Sequence, residues 1–343
     1  MSAFKVYVVE KSYDDYSQER HLVEEMGGTL VFATCASEED LITQCGDAHG
    51  LLLRQTPIGE RAFHALRNLR VVSRYGVGYD NVDVDAATRA GVTVTIVPDY
   101  CVAEVADHTI ALFLSLARHI PSRDRLVRRG GWDLTRRLPT HRTDNRIYGL
   151  VGYGRTAREI RKRLSGFPLR FAACDPFLPD EVFERDNTLR LDFNRLVILS
   201  HYLSIHVPLN GSTNHLFDRS VFRRMRRSAL LINTSRGPVV DSTALALSIR
   251  EGWIAGAALD VFEEEPPGWS NPLRRLDGVI LSDHAAWYSE ESQRELQYRT
   301  ALEAVRVLRG ERPEHPVNPE LWSGENVHSG GEKSGDERVA VYQ

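Results

Sequence analysis

Three short blocks in the second half of the chain each end an apolar run with a different polar side chain: ALLINTSRG with Arg236, GAALDVFEEEP with Glu265, and GVILSDHAAW with His284. An arginine can clamp a carboxylate with its planar fork and stays charged at any working pH. Histidine titrates near neutrality and suits proton transfer. A glutamate beside an imidazole orients it and favours its protonated form. Together these are the parts needed to hold a 2-keto acid and move one proton. Each residue also has a plainer reading, since the chain is rich in arginine, EEEP reads as a solvated face, and there are twelve histidines. The ordered set behind a nucleotide turn shifts the balance towards chemistry.

That turn is YGLVGYGRTA. Gly152, Gly154 and Ala157 fit G-x-G-x-x-G/A, with Arg155 and Thr156 opening the following helix. The first glycine allows the tight turn, the second lets backbone approach a pyrophosphate, and a small Ala157 allows close helix–strand packing. Asp175 ends the next strand, 23 residues after Gly152. A carboxylate there accepts from both ribose hydroxyls and repels a 2′-phosphate, which predicts NAD rather than NADP.

Placing these groups requires parallel sheets. KVYVVE, TLVFA, GLLLR, RVVSRYG and VTVTIV read as strands in the first hundred residues, with SQERHLVEEMGG and IGERAFHALRN as helices between them. IYGLVGY, LRFAACD, YLSIHVP, ALLINTS, GAALDV and GVILS form a second series. This alternation predicts an α/β fold with helices covering both faces of parallel sheets, whose carboxyl ends bind ligands. RTAREIRKRLSG is expected to end at a left-handed Gly166, and DSTALALSIREGW to run from Asp241 as N-cap to Gly252. The run from Val102 to His119 is apolar enough to be buried on more than one side, RDRLVRRGGWDLTRRLPTHRTDNR reads as a solvated connection, and SEESQRELQYRTALEAVRVLRGE as one long helix.

The chain has 343 residues, 42% hydrophobic and 26% charged, which fits a soluble globular protein of two domains. A net charge of −4 gives no reason to expect nucleic acid or membrane as partner, and no apolar run is long enough to span a bilayer. The start MSAFKVYVVEKS reads as a strand and not a signal peptide. Cys35, Cys45, Cys101 and Cys174 show no metal-type spacing, so no metal is expected, and scattered thiols suggest the cytoplasm.

RYGVGYDNVD, GYGRTA, CDPF, IHVPL, NTSRGPVVD, ALDVFEEEP and DHAAWYSEES together resemble the D-isomer-specific 2-hydroxyacid dehydrogenases, from about Val6 to Trp322. The phosphoglycerate dehydrogenase and C-terminal-binding-protein branches are the most similar in pattern. The resemblance implies two Rossmann-like doubly wound domains: a flavodoxin-like catalytic domain of residues 1–99 and 289–322, and an inserted NAD-binding domain of 100–288. Residues 323–343 are expected to be a disordered tail. It implies Arg236, Glu265 and His284 as the catalytic set, Tyr75, Gly76, Val77 and Gly78 as a backbone cradle for the substrate carboxylate, and Asp260 as the partner of the nicotinamide carboxamide. Thr109 falls near the nicotinamide, His206 and Thr234 complete the expected cofactor set, and a homodimer through the NAD-binding domain is expected. The chain departs from the family in Ala157 for glycine, Asp283 for proline and His201 for aspartate. Asp283 places a further negative charge directly before His284.

Arg54 and Arg74 flank the cradle in sequence and would favour a substrate with a distal phosphate, phosphonate or carboxylate, only slightly ahead of a plain 2-keto acid. Trp132, with Arg136 and Arg137, is expected to complete the pocket across a dimer. Trp287 is read equally as a pocket wall or as packing. The expected function is hydride transfer between NAD and a small 2-keto or 2-hydroxy acid. The alternative from another class is an NAD(H)-sensing, corepressor-like, peptide-binding dimer, and an NADP enzyme would require Asp175 to be turned away.

Overall fold

The computed structural model describes residues 4–133, 135 and 138–323. They fall into two compact units, 4–100 with 289–323 and 101–288. Tyr100 lies in the first unit, one residue beyond the boundary expected from sequence. The expected tail from 324 onward lies outside the described residues.

In the first unit β1 (Lys5–Val8), β2 (Thr29–Phe32), β3 (Gly50–Leu53), β4 (Val71–Arg74) and β5 (Thr93–Thr95) form a parallel sheet ordered β2-β1-β3-β4-β5, the flavodoxin-like order. Leu51 sits opposite Tyr7 and Val72. All four residues of β3 are buried, as an apolar run in the middle of a doubly covered sheet must be. The helix Glu290–Arg309 opens with a Ser289–Ser292 capping box and stops at Gly310, whose φ is +79°. It packs on β3, β4 and the helix Ser17–Glu24. Ser73 Oγ donates to the Thr300 carbonyl at 2.7 Å. The Asn318 side chain accepts from Val94 N–H and donates to the Val92 carbonyl, both at 2.9 Å.

The second unit holds β6 (Ile147–Val151), β7 (Arg170–Cys174), β8 (Leu189–Arg190), β9 (Tyr202–Ile205), β10 (Leu230–Asn233), β11 (Gly256–Leu259) and β12 (Val279–Leu281). They form a parallel sheet ordered β12-β11-β10-β9-β6-β7-β8. Strand order reverses between β6 and β9, the switch point at which such sheets bind ligands beyond their carboxyl ends.

Three sequence expectations change, and some short elements come without one. RDRLVRR is not loop: it belongs to the helix Ile120–Arg128, which starts with Pro121 in its first turn and has no buried residue. A solvated charge run and a solvated helix share one composition. The helix Val102–Ala117 buries only one stripe, Ala106, Thr109, Leu112, Phe113 and Leu116, with Ala103, Asp107 and Ala111 exposed. Gly166 is not left-handed. It lies inside a 3₁₀ turn (Leu164–Gly166) in which Phe167 N–H reaches the Leu164 carbonyl at 3.0 Å, so the helix end is satisfied without it. The two-residue β8 and short helices such as Glu38–Gln44, capped by Ser37, were not read from the sequence.

Candidate active site

At the end of β6 the chain turns at Gly152 with φ +84°. A Cβ there would stand 2.7 Å from the His206 carbonyl oxygen, so only glycine lets the turn pass between β7 and β9. Gly154 caps the helix Arg155–Arg163 without a side-chain bond, and Ala157 and Ile160 anchor its inner face. Backbone N–H groups at the positive end of this helix are therefore not taken by a capping side chain. Asp175 is fixed against the turn: Oδ2 accepts from Tyr153 N–H at 2.9 Å and Oδ1 from Phe177 N–H at 3.0 Å. His206 pairs Nε2 with Ser204 Oγ at 2.7 Å, and desolvation pushes its pKa down to about 3, so the ring is neutral. Thr109 Oγ1 donates to the Val105 carbonyl at 2.7 Å and meets Thr234 Oγ1 at 2.8 Å. A hydroxyl has one proton, so Thr234 donates in that pair. Glycine cradle, uncapped helix end and fixed carboxylate fit a dinucleotide.

The trio expected to be catalytic follows β10, β11 and β12 in the chain. After β10, Asn233 folds the turn back. Its Oδ1 accepts from Ser235 N–H at 3.0 Å and its Nδ2 donates to the Arg236 carbonyl at 2.9 Å. Gly237 then lies so close to the next segment that a Cβ would stand 1.9 Å from the Phe262 carbonyl. This approach brings the Arg236 turn against the chain leading to Glu265. His284 Nδ1 lies 2.6 Å from Glu265 Oε2, and Glu265 Oε1 accepts from Phe262 N–H at 2.9 Å. Burial alone would raise the Glu265 pKa. The bond to His284, the Phe262 N–H and the Arg236 charge outweigh it and hold the carboxyl below its usual range. An ionised carboxylate only accepts, so Nδ1 carries a proton and Nε2 is the edge free to exchange one.

Asp260 is 0% exposed. Its Oδ1 accepts from Ser282 Oγ at 2.6 Å and Ala285 N–H at 3.0 Å, and its Oδ2 from Ala286 N–H at 3.0 Å. His108 Nε2 stands 3.4 Å from Oδ1 and 3.0 Å from Ser282 Oγ. Burial would raise this carboxyl, but these partners hold it below its usual range. The expected carboxamide partner is thus a structural centre of the His284 loop. His108 and Ser282 were missed in the sequence; a histidine inside an apolar helix was the only signal for the first.

In the first unit, Arg74 folds over Gly76. Its Nη1 donates to the Tyr75 carbonyl at 2.8 Å and lies 1.9 Å from where a Gly76 Cβ would be. Gly76, at φ +131°, turns its N–H to the Arg74 carbonyl at 2.9 Å. Tyr75 is buried and donates its hydroxyl to Glu19 Oε1 at 3.0 Å. Burial raises the pKa of both groups. Arg54 is held by its backbone: Glu10, a residue missed in the sequence, accepts from the N–H groups of Arg54 at 3.1 Å and Gln55 at 2.8 Å, and from that of Thr56.

The remaining expected residues differ in exposure. Trp132 is 78% exposed after the helix Ile120–Arg128, and Arg136 and Arg137 lie outside the described residues. Trp287 is partly buried with its ring edge-on to Tyr288 at 5.6 Å. Asp283 is exposed. His201 Nδ1 accepts from Ile147 N–H at 3.2 Å, and desolvation with nearby arginines pushes its pKa down to about 4.

A family model described as D-isomer specific 2-hydroxyacid dehydrogenase, NAD binding domain, matches residues 110–286. The chain belongs to the D-isomer-specific 2-hydroxyacid dehydrogenases. It is 37% identical over 289 residues to a glyoxylate reductase of Korarchaeum cryptofilum, covering 83% of this chain and 87% of that protein. It is 36% identical over 316 residues to a D-3-phosphoglycerate dehydrogenase of Methanocaldococcus jannaschii, covering 92% of this chain but only 59% of that longer protein. Among solved structures, D-lactate dehydrogenase with NAD+ from Lactobacillus jensenii superposes with a TM-score of 0.72 at 25% identity, covering 92% of this chain and 99% of that one. As a member of this family the protein is an NAD-dependent oxidoreductase that moves a hydride between nicotinamide and a 2-keto or 2-hydroxy acid. The corepressor-like reading is not favoured. Among the described residues no helix is long and apolar enough to cross a membrane.

Proposed function

We propose that this dehydrogenase reduces a small 2-keto acid with His284 as proton carrier, Glu265 as its orienting base and Arg236 as the clamp on the substrate carboxylate. The observation that supports the reading is the 2.6 Å bond between His284 Nδ1 and Glu265 Oε2. When bound, NADH supplies the hydride for the carbonyl carbon. His284 Nε2 gives a proton to the carbonyl oxygen in reduction and takes it back in oxidation. Arg236 anchors the carboxylate so that the carbonyl faces that imidazole. Val77 and Gly78 N–H groups are proposed as further donors to the carboxylate. Arg54 and Arg74 are proposed to favour a distal anionic group. The turn at Gly152 and Gly154, with Arg155 and Thr156 at the helix start, is proposed to hold the pyrophosphate. Asp175 is proposed to hold the ribose hydroxyls, and Thr109, Thr234, His206 and Asp260 to line the nicotinamide side.

A homodimer through the NAD-binding unit is part of the proposal. The helix Ile120–Arg128 buries none of its residues and leaves Ile120 54% and Val127 53% exposed. A cytoplasmic setting is proposed from the four free cysteines.

The test is initial-rate NADH oxidation with glyoxylate, pyruvate, hydroxypyruvate and 3-phosphohydroxypyruvate. Turnover that vanishes in both Arg236→Ala and His284→Asn supports the reading, and a folded, NADH-binding protein with no turnover on any of the acids refutes it. Asp175→Ala should raise the KM for NADH about tenfold and narrow the preference over NADPH. An unchanged ratio would remove Asp175 from cofactor choice.

A further inference from the structure

His284 has φ +56°, a left-handed conformation that a non-glycine residue keeps only when its surroundings hold it there. The backbone of this loop is tied to one residue, Asp260. His284 N–H donates to the Asp260 carbonyl at 2.8 Å, and the N–H groups of Ala285 and Ala286 donate to the two oxygens of its carboxylate at 3.0 Å each. Three successive amides thus end on Asp260. An aspartate carboxylate turns readily about its last torsion, so something must stop it. Oδ1 is approached by Ser282 Oγ at 2.6 Å and His108 Nε2 at 3.4 Å. Ser282 spends its single hydroxyl proton on Asp260, so in its 3.0 Å contact with His108 it must accept. The order of donation is fixed: His108 Nε2–H donates to Ser282 and Ser282 O–H to Asp260, which also accepts from the loop amides.

We propose that His108 is a positioning residue for the proton carrier: by directing the Ser282 hydroxyl it locks the Asp260 carboxylate under the 284–286 backbone and keeps the His284 ring on Glu265. The role rests on His284 being the proton carrier. His108 touches no reacting atom. It sits on the helix Val102–Ala117 one residue before Thr109, so a single helical turn braces both the loop of the imidazole and the Thr109–Thr234 pair.

The test uses the full chain with glyoxylate and NADH. His108→Ala should lower kcat by roughly tenfold to 100-fold and leave both KM values within about twofold, because orientation is lost and binding is kept. Ser282→Ala should do the same. His108→Gln, whose amide can donate to Ser282, should recover most of kcat. Amide exchange of Ala285 and Ala286 should speed up at least about tenfold in His108→Ala, with β12 unchanged. A kcat within twofold of wild type in His108→Ala, a loss confined to the KM for NADH, or no recovery in a folded His108→Gln overturns the proposal. If His108→Ala does not fold, Ser282→Ala and His108→Gln decide it by the same criteria. His284→Asn is assayed alongside. Retained activity there refutes the proton-carrier reading itself, whereas an inactive His284→Asn beside a fully active His108→Ala refutes the positioning role alone.

Discussion

Glu265→Gln separates charge from shape at the centre of the site. The carboxylate holds two donors at once, Phe262 N–H at 2.9 Å and His284 Nδ1 at 2.6 Å. A glutamine of the same size has one acceptor and one donor end. With its oxygen on Phe262, the NH2 faces Nδ1 and forces the imidazole into the tautomer that keeps its proton on Nε2 and cannot become imidazolium without losing the contact. With its oxygen on Nδ1, the NH2 meets Phe262 N–H donor to donor. Either way one charge-assisted bond is lost, worth about 1.5–3 kcal/mol, which corresponds to a kcat for glyoxylate reduction lower by about tenfold to 150-fold. The KM for glyoxylate should change less than about twofold, because Arg236 and the cradle are untouched. The assay is steady-state NADH oxidation, with deuterated NADH to establish that hydride transfer limits the rate. A Glu265→Gln enzyme with wild-type kcat and a full isotope effect would refute the reasoning. Because Glu265 sits below the usual carboxylate range, its protonation should not cut activity between about pH 5 and 7. The stability it adds is present above the unfolded-state pKa and lost only as pH falls through the lowered folded one.

Gly237→Ala puts a methyl group 1.9 Å from the Phe262 carbonyl. The backbone must shift, costing about 1–3 kcal/mol, and kcat should fall more than about tenfold as Arg236 and Glu265 move apart; a crystal structure with the 262–265 segment in place would contradict this. His206 stays neutral in the fold, with its pKa pushed down to about 3, while the unfolded ring titrates near 6.5. Between those values the unfolded chain binds the extra proton, so stability drops as pH falls, by about 2 kcal/mol at pH 5. His201, pushed down to about 4, acts in the same direction but more weakly because it is more exposed. Urea midpoints at the two pH values should diverge less in His206→Asn than in wild type, and equal divergence would rule His206 out as the source.

What was legible in the sequence had local signatures. Gly152, Gly154 and Asp175 sit at fixed offsets from strand ends, and Arg236, Glu265 and His284 each close an apolar run, so type and position could be read together. The parallel α/β layout follows from alternation of strands and helices and from the resemblance. What was not legible depends on proximity alone. His108 and Ser282 are 174 residues apart and meet at 3.0 Å, and Glu10 reaches Arg54 across 44 residues. No spacing rule joins such pairs. Gly166 misled because a glycine after a helix reads as a left-handed stop, whereas a 3₁₀ turn met the same need for hydrogen bonds. The Gly76 N–H bends back to the Arg74 carbonyl, a detail set by local dihedrals that residue types do not carry.

The helix Glu290–Arg309 lies on β3 and β4, and Asn318 supplies both a donor and an acceptor to β5 and its approach. A nascent chain that has left the ribosome only as far as residue 288 therefore carries five strands with β3 and β4 lacking the helix that packs on them. The 101–288 unit has all of its own strands by then, so synthesis imposes an order of maturation: the dinucleotide-binding half can close first, and the other half must wait for residues 289–323. Any truncation that removes those residues strikes hardest at the unit that begins at the opposite terminus.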